Sequence, residues 1–194
     1  MPPEGFGYQP GFLEPLPATE LLDRLWAELN WEQYRVRLFG RDIPQPRLTA
    51  WCCDRGVTYS YSGIRLGPAP WHPLLDDMRS RLRAETGMRF NSVLANAYRD
   101  GNDAMGWHAD DEPELGDAPV IASLSLGAAR RMLVRPKTGG PSVAIELEHG
   151  SLLLMRGNSQ ADWLHCVPRT RRPLGLRINL TYRLVIGPGR DRPA

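Results

Sequence analysis

Residues 106–114 read GWHADDEPE and set one of only four histidines in the chain against a run of acids. On an extended strand, side chains at i and i+2 point the same way. His108 and Asp110 can therefore offer an imidazole and a carboxylate to one ion, while Asp111 points to the opposite face. A third ligand has to come from elsewhere. His165, in DWLHCVP, lies just past the apolar run GSLLLM, where a neighbouring strand could bring it close. Two imidazoles and a carboxylate on one face of an octahedron leave three positions open. That is the arrangement of non-haem iron(II) oxygenases, and zinc also accepts such a set. His72, beside two prolines, and His149, before Gly150, read as structural.

A second pattern lies in LRINLTYRLVI. One strand face carries Ile178, Leu180, Tyr182 and Leu184; the other carries Arg177, Asn179, Thr181 and Arg183. A polar face of this kind is either solvated or the wall of an anion site. In SVLANAYRDG, Asn96 and Tyr98 also share a face. Two arginines are a costly lining unless a carboxylate or phosphate arrives to pair with them. One chemistry unites the patterns. Iron with three open positions takes a bidentate 2-oxo acid and then O2, the far carboxylate needs an arginine, and the product is an oxidant for C–H bonds.

The elements that must position these residues fall in two blocks. TELLDRLWAELNW and PWHPLLDDMRSRLRAETG space Leu22, Leu25, Trp26 and Leu29, and Leu74, Leu75, Met78 and Leu82, as helices do. Thr19 is placed to cap the first, and Gly87 to stop the second. After Gly87 come short β-rich runs separated by turn formers. Helices followed by strands predict an α+β fold, with helices packed on one face of a mostly antiparallel sandwich or barrel. At 194 residues one domain is expected: an extended arm over 1–17, helices and a recognition segment over 18–87, a catalytic core over 88–186 and a tail over 187–194.

Composition is that of an ordinary soluble chain, with 42% hydrophobic and 24% charged residues. No signal peptide or membrane-spanning run is visible, so a cytoplasmic monomer without membrane partners is expected. Cys52, Cys53 and Cys166 read as free thiols. A net charge of +2 neither requires nor excludes nucleic acid.

Together Asn96 and Tyr98, the run His108 to Glu112, His165 and RINLTYR resemble the AlkB family of iron(II)- and 2-oxoglutarate-dependent nucleic-acid dealkylases, closest to the branch that works on duplex DNA. The resemblance implies a double-stranded β-helix, or jelly roll, with buttressing helices. It makes His108, Asp110 and His165 the iron ligands. Asn96, Tyr98, Arg177, Asn179, Thr181 and Arg183 surround 2-oxoglutarate, with the two arginines on its carboxylates. The implied reaction takes O2, oxidises the methyl of 1-methyladenine or 3-methylcytosine in DNA, and releases formaldehyde and succinate. Asp111 and Glu112 match positions near the cationic damaged base.

The base must leave the stack to be reached. The segment TYSYSG resembles the one whose aromatics flank a flipped base, with Tyr59 and Tyr61 as walls and Ser60 and Ser62 beside them. Leu38-Phe39-Gly40, among arginines 35, 37, 41 and 47, matches an intercalating finger. Phe39 would fill the gap, and Gly40 and Arg41 would lie against the duplex. One departure stands out: the loop RPKTGGPS is shorter and less basic than in the duplex branch, with Arg169, Arg171 and Arg172 as possible replacements for its grip. The alternatives are an oxygenase of the same chemistry acting on RNA, protein or a small molecule, and a nucleic-acid-binding module with an idle metal site.

Overall fold

The computed structural model describes residues 2–187 except 39, 62, 63 and 68, and excepting the side chains at 37, 38, 61, 64 and 65. In chain order its elements are β1 (Phe6–Gln9), α1 (Pro15–Glu28), β2 (Arg35–Leu38), β3 (Arg41–Pro44), β4 (Leu48–Cys53), β5 (Tyr59–Tyr61), β6 (Ile64–Leu66), α2 (Pro73–Thr86), β7 (Ser92–Tyr98), β8 (Met105–His108), β9 (Ile121–Gly127), β10 (Arg130–Pro136), β11 (Val143–Leu147), β12 (Ser151–Met155), α3 (Ser159–Asp162), β13 (Trp163–Val167) and β14 (Arg177–Arg183). A 3-10 turn follows β8 at Pro113–Leu115.

A six-stranded sheet runs β1-β12-β9-β14-β7-β4 and a four-stranded sheet runs β11-β10-β13-β8. Every pairing in both is antiparallel. Side chains of both inner faces, among them Ile121, Leu153, Met132, Val134 and Ile145, form one apolar cluster between the sheets. This is the jelly roll expected from the sequence.

The helices lie on the outer face of the large sheet. Leu21, Leu25, Leu75, Met78 and Leu82 pack there against Ala95, Leu124, Ile178, Leu180 and Tyr182. Each leucine so buried contributes roughly 1.5–3 kcal/mol. The Tyr182 hydroxyl donates to the Leu75 carbonyl at 2.9 Å, which ties α2 to the central strand. With one face of β14 committed to helices, period-2 alternation sends its other face between the sheets.

Two local expectations change. Thr19 does not cap α1, which starts at Pro15 with Glu14 at the cap; the Thr19 hydroxyl donates back to the Pro15 carbonyl at 2.9 Å. Proline suits a first turn because its missing N–H would be unsatisfied there anyway. The N-terminal segment is also more than an arm: β1 is the edge strand beside β12, and Phe12 and Leu13 are buried in the core. Gly87 does end α2, in the left-handed conformation at φ 69°.

Gly127 closes β9 at φ +86°, and a Cβ there would collide with the Leu176 carbonyl. Gly127→Ala therefore combines an unfavourable backbone region with backbone overlap. A loss of about 3 kcal/mol is expected, read as a lower urea midpoint at unchanged m-value.

Candidate active site between the two sheets

The inward face of the large sheet is polar at its centre. Asn179 pairs across the ladder with Asn96 on one side and Ser125 on the other, and Arg177 pairs with Tyr98. Arg177, Asn179, Thr181 and Arg183 are all buried, so their face is not solvated. Arg177 Nη2 donates to Asn179 Oδ1 at 2.7 Å and to Ser125 Oγ at 3.0 Å. Ser123 Oγ donates to the same Asn179 oxygen at 3.0 Å, and Asn179 Nδ2 donates to Thr181 Oγ1 at 2.8 Å. Asn96 is held from the other side by Arg47 Nε at 2.9 Å.

Arg177 is 1% exposed and lies 5.0 Å from the Tyr98 ring centre. Its Nε and Nη1 are buried without a hydrogen-bond partner. Burial pushes the guanidinium down to about 10, partly offset by Tyr98, so it remains a cation at neutral pH. A buried cation with unsatisfied donors calls for an arriving anion.

The small sheet supplies the histidines. His108 on β8 and His165 on β13 are direct cross-strand partners, with ring centres 4.2 Å apart. The Gly106 carbonyl lies 2.9 Å from His108 Nδ1. A carbonyl only accepts, so Nδ1 carries the proton and Nε2 keeps its lone pair. Burial keeps both rings neutral; with His108 beside it, His165 is pushed down to about 3. Asp110 lies just beyond β8, and its Oδ1 accepts from Arg183 Nη2 at 2.7 Å. Its carboxyl stays below the usual range: burial would raise it, and the Arg183 guanidinium beside it pulls it down.

His108, Asp110 and His165 line one cavity together with Asn96, Tyr98 and the four polar residues of β14. Met132, Leu147 and Met155 supply its apolar wall. Among the described residues no three acid, histidine or cysteine side chains are drawn into a closed ion-holding set. The donor types nevertheless suit a divalent metal: two neutral imidazoles, one anionic carboxylate, and a buried His165 Nδ1 with no partner. Size alone would point elsewhere. A cleft of about 770 Å3 beside Lys137, Arg156 and Trp163 dwarfs this cavity of about 40 Å3, yet it contains none of these groups. Residue chemistry is the better guide.

The acids after Asp110 diverge. Asp111 is exposed and pairs with Lys137 at 2.7 Å. Glu112 is half-buried and accepts from the Tyr59 hydroxyl at 2.8 Å. Burial and Asp110 raise its carboxyl above the usual value, against the pull of Tyr59.

The recognition segment differs from expectation at Tyr59. That residue is 1% exposed, stacked on Trp51 at 5.5 Å, with the Arg183 guanidinium 5.7 Å from its ring centre. It is a buried support for Glu112 rather than an open wall of a base slot. Ser60 is exposed on the other face. Tyr61 pairs with Ile64 through its backbone, while its side chain and Ser62 lie outside the described residues.

The segment expected to act as a finger is a two-stranded hairpin, β2 with β3, with Gly40 at φ 75°. Arg41 is exposed beside that turn, and Phe39 lies outside the described residues. Arg47 does not ring the finger; it is 5% exposed beneath it, on Asn96. Arg169 and Arg172 line a cleft at the Arg130–Arg131 end of β10, whereas Lys137 follows its other end. Seven residues of strand separate the two ends by roughly 20 Å.

Sequence reasoning did not single out Ser123, Ser125, Arg130 or Gln160. The serines were legible as the polar alternate of SLSLG, one face of an apolar strand. Arg130 is 3% exposed and donates to the Asp103 and Pro168 carbonyls at 2.9 and 2.8 Å. No local pattern announces it.

The jelly roll gathers two histidines, an aspartate and an arginine with two unpartnered nitrogens around one cavity, donor types that suit a 2-oxo-acid oxygenase. The family model described as 2OG-Fe(II) oxygenase superfamily matches residues 5–183. Among relatives, alpha-ketoglutarate-dependent dioxygenase alkB homolog 3 of Rattus norvegicus is 43% identical over 95% of this chain and 65% of its own length. DNA oxidative demethylase ALKBH2 of Mus musculus is 39% identical over 84% of this chain and 75% of its own. The solved structure of OsALKBH1 superposes with a TM-score of 0.64 at 17% identity, covering 94% of this chain and 99% of that one, which is a likeness of fold. The chain belongs to the 2OG-Fe(II) oxygenase superfamily and, within it, to the AlkB family. It spans about two thirds of the length of the alkB homolog 3 relatives, 65% and 67% for the rat and human proteins. No helix among the described residues is long and apolar enough to cross a membrane.

Proposed function

We propose that this protein is an iron(II)- and 2-oxoglutarate-dependent dealkylase of N-methylated bases in DNA. The observation that carries the reading is Arg177: a buried cation with two unsatisfied nitrogens on the floor of a cavity walled by His108, Asp110 and His165. The names of the relatives, which specify an alpha-ketoglutarate-dependent dioxygenase and a DNA oxidative demethylase, support it.

His108, Asp110 and His165 would hold the metal. Bound iron(II), with 2-oxoglutarate and O2, supplies oxidation of an N-methyl C–H bond; the hydroxymethyl product falls apart to formaldehyde and the free base, while 2-oxoglutarate leaves as succinate and CO2. Arg177 pairs with the far carboxylate of 2-oxoglutarate, and Tyr98 covers that guanidinium. Asn96, Asn179 and Thr181 would order the polar wall beside the cosubstrate, and Arg183 would serve its other carboxylate. Met132, Leu147 and Met155 keep water from the reacting centre. Glu112, held by Tyr59, is an acceptor for a cationic base with an exocyclic amine. We assign Asp111, Ser60, Ser62, Tyr61, Gly40 and Arg41 to contact with the arriving strand, and Phe39 to the wedge that fills a vacated stack. The protein acts as a monomer on both single and duplex strands.

The test is formaldehyde release from matched single- and double-stranded oligonucleotides carrying 3-methylcytosine, with iron(II), 2-oxoglutarate and O2, against His108→Ala. Release should require all three additions and vanish in the variant. Phe39→Ala should lower turnover on duplex at least about tenfold more than on single strands, since a base step costs a few kcal/mol to unstack. Equal loss on both would remove the wedge. No release from either strand by protein that holds iron and 2-oxoglutarate would turn the assignment to RNA or protein substrates.

A further inference from the structure

We propose that Gln160, on the one-turn helix α3, is the positioning residue for the metal ligand Asp110. The inference rests on the reading of Asp110 as a ligand. Asp110 lies two residues beyond the end of β8, outside its pairing with β13. Its N–H donates instead to Gln160 Oε1 at 2.8 Å. Both residues are 1% exposed, so no solvent competes for that bond.

The amide of Gln160 is itself fixed. Its Nε2 donates to Ser159 Oγ at 3.2 Å and reaches Met155 Sδ at 3.5 Å. Only this amide orientation serves the acceptors at one end and the Asp110 N–H at the other. Arg183 orients the carboxylate of Asp110, and Gln160 orients its backbone. Two held points on one residue leave a loop ligand little freedom.

The same short helix is tied to the next residue of the loop. The Asp162 carbonyl accepts from the Lys137 backbone N–H at 2.8 Å, and Lys137 Nζ pairs with Asp111 Oδ2 at 2.7 Å. Residues 110 and 111 are thus held, one directly and one through Lys137, by a segment that supplies no metal ligand. Groups that orient a ligand without touching the metal typically set its affinity by 10–100-fold.

The experiment is titration of the metal-free protein with Co(II) alone, followed by the visible absorption of the bound ion, for wild type, Asp110→Ala, Gln160→Met and Gln160→Glu. Folding is checked by circular dichroism. Gln160→Met keeps the length and removes the acceptor; a loss of about 10-fold or more in Co(II) affinity is expected, with an altered absorption band. Gln160→Glu keeps an oxygen acceptor and should recover most of that loss. Wild-type affinity and band shape in folded Gln160→Met would overturn the proposal while leaving Asp110 a ligand. Unchanged binding in Asp110→Ala would overturn the ligand reading, and the proposal with it. Should Gln160→Met not fold, exchange of the Asp110 amide hydrogen in the metal-free wild type decides: slow exchange supports the bond to Gln160, and exchange at the rate of an open loop overturns it.

Discussion

Arg177→Met should lose 2-oxoglutarate and keep its fold. The wild-type guanidinium offers a carboxylate its buried Nε and Nη1, with Tyr98 alongside. A charge-assisted, forked pair in a buried site contributes about 3–4 kcal/mol when one partner is truncated. The KM for 2-oxoglutarate should therefore rise by roughly 10²–10³-fold, at 1.4 kcal/mol per decade. Metal affinity should change far less, because Arg177 sits on the Tyr98 side of the cavity and Arg183 on the Asp110 side. The cosubstrate-free variant should be no less stable than wild type, since replacing a buried, poorly paired ion by an apolar chain of similar length is commonly neutral or stabilising. Thermal melts with and without 2-oxoglutarate separate these effects. The added ligand should raise the melting temperature of wild type and leave the variant where it was. A variant that melts many degrees lower without ligand, yet retains its KM, would make Arg177 a structural cation and displace the cosubstrate from this floor.

Asp110→Ala should abolish turnover and also weaken the fold. On the proposed reading the carboxylate has two duties: it is the anionic member of the His/Asp/His set, and it is paired with Arg183 at 2.7 Å. Removing a metal's only charged ligand is expected to lower affinity by more than the 10–100-fold that orienting groups command. Demethylation should fall by at least about 10³-fold. Removing one member of a buried ion pair typically costs 3–5 kcal/mol through the charge left behind. Asp110→Asn separates the two effects. It keeps the shape and an acceptor for Arg183 but offers the metal a neutral, weaker ligand. Its melting temperature should lie between wild type and Asp110→Ala, and its turnover should be as poor as that of Asp110→Ala. Full activity in either variant would remove Asp110 from the metal set.

These two residues also mark how far local pattern reaches. The division of β14 into an apolar and a polar face follows from period 2, and the helices that cover Ile178, Leu180 and Tyr182 follow from period 3.6. Period 2 also put His108 with Asp110 and turned Asp111 away; β8 instead ends at His108, Asp110 is held in the loop beyond it by Arg183 and Gln160, and Asp111 meets Lys137 at an exposed position. Such patterns are properties of a few adjacent residues, so they survive without knowledge of the rest of the chain.

Register between distant strands does not. His165 stands opposite His108 because β13 pairs with β8, a match of segments 57 positions apart that no local rule encodes. Arg183 reaches Asp110, and Gln160 reaches the Asp110 amide, through closure of the two sheets. Tyr59 shows the limit most plainly. Its segment, TYSYSG, read as walls around a flipped base, yet Trp51 and Arg183 enclose its ring and Glu112 takes its hydroxyl. Thr19 likewise had the right chemistry for a cap, but the helix begins four residues earlier at a proline. Local periodicity thus determined which side chains share a face, and through that the type of chemistry. The tertiary structure decided which faces meet, because burial of a charge or a tyrosine depends on segments brought together only when both sheets have closed.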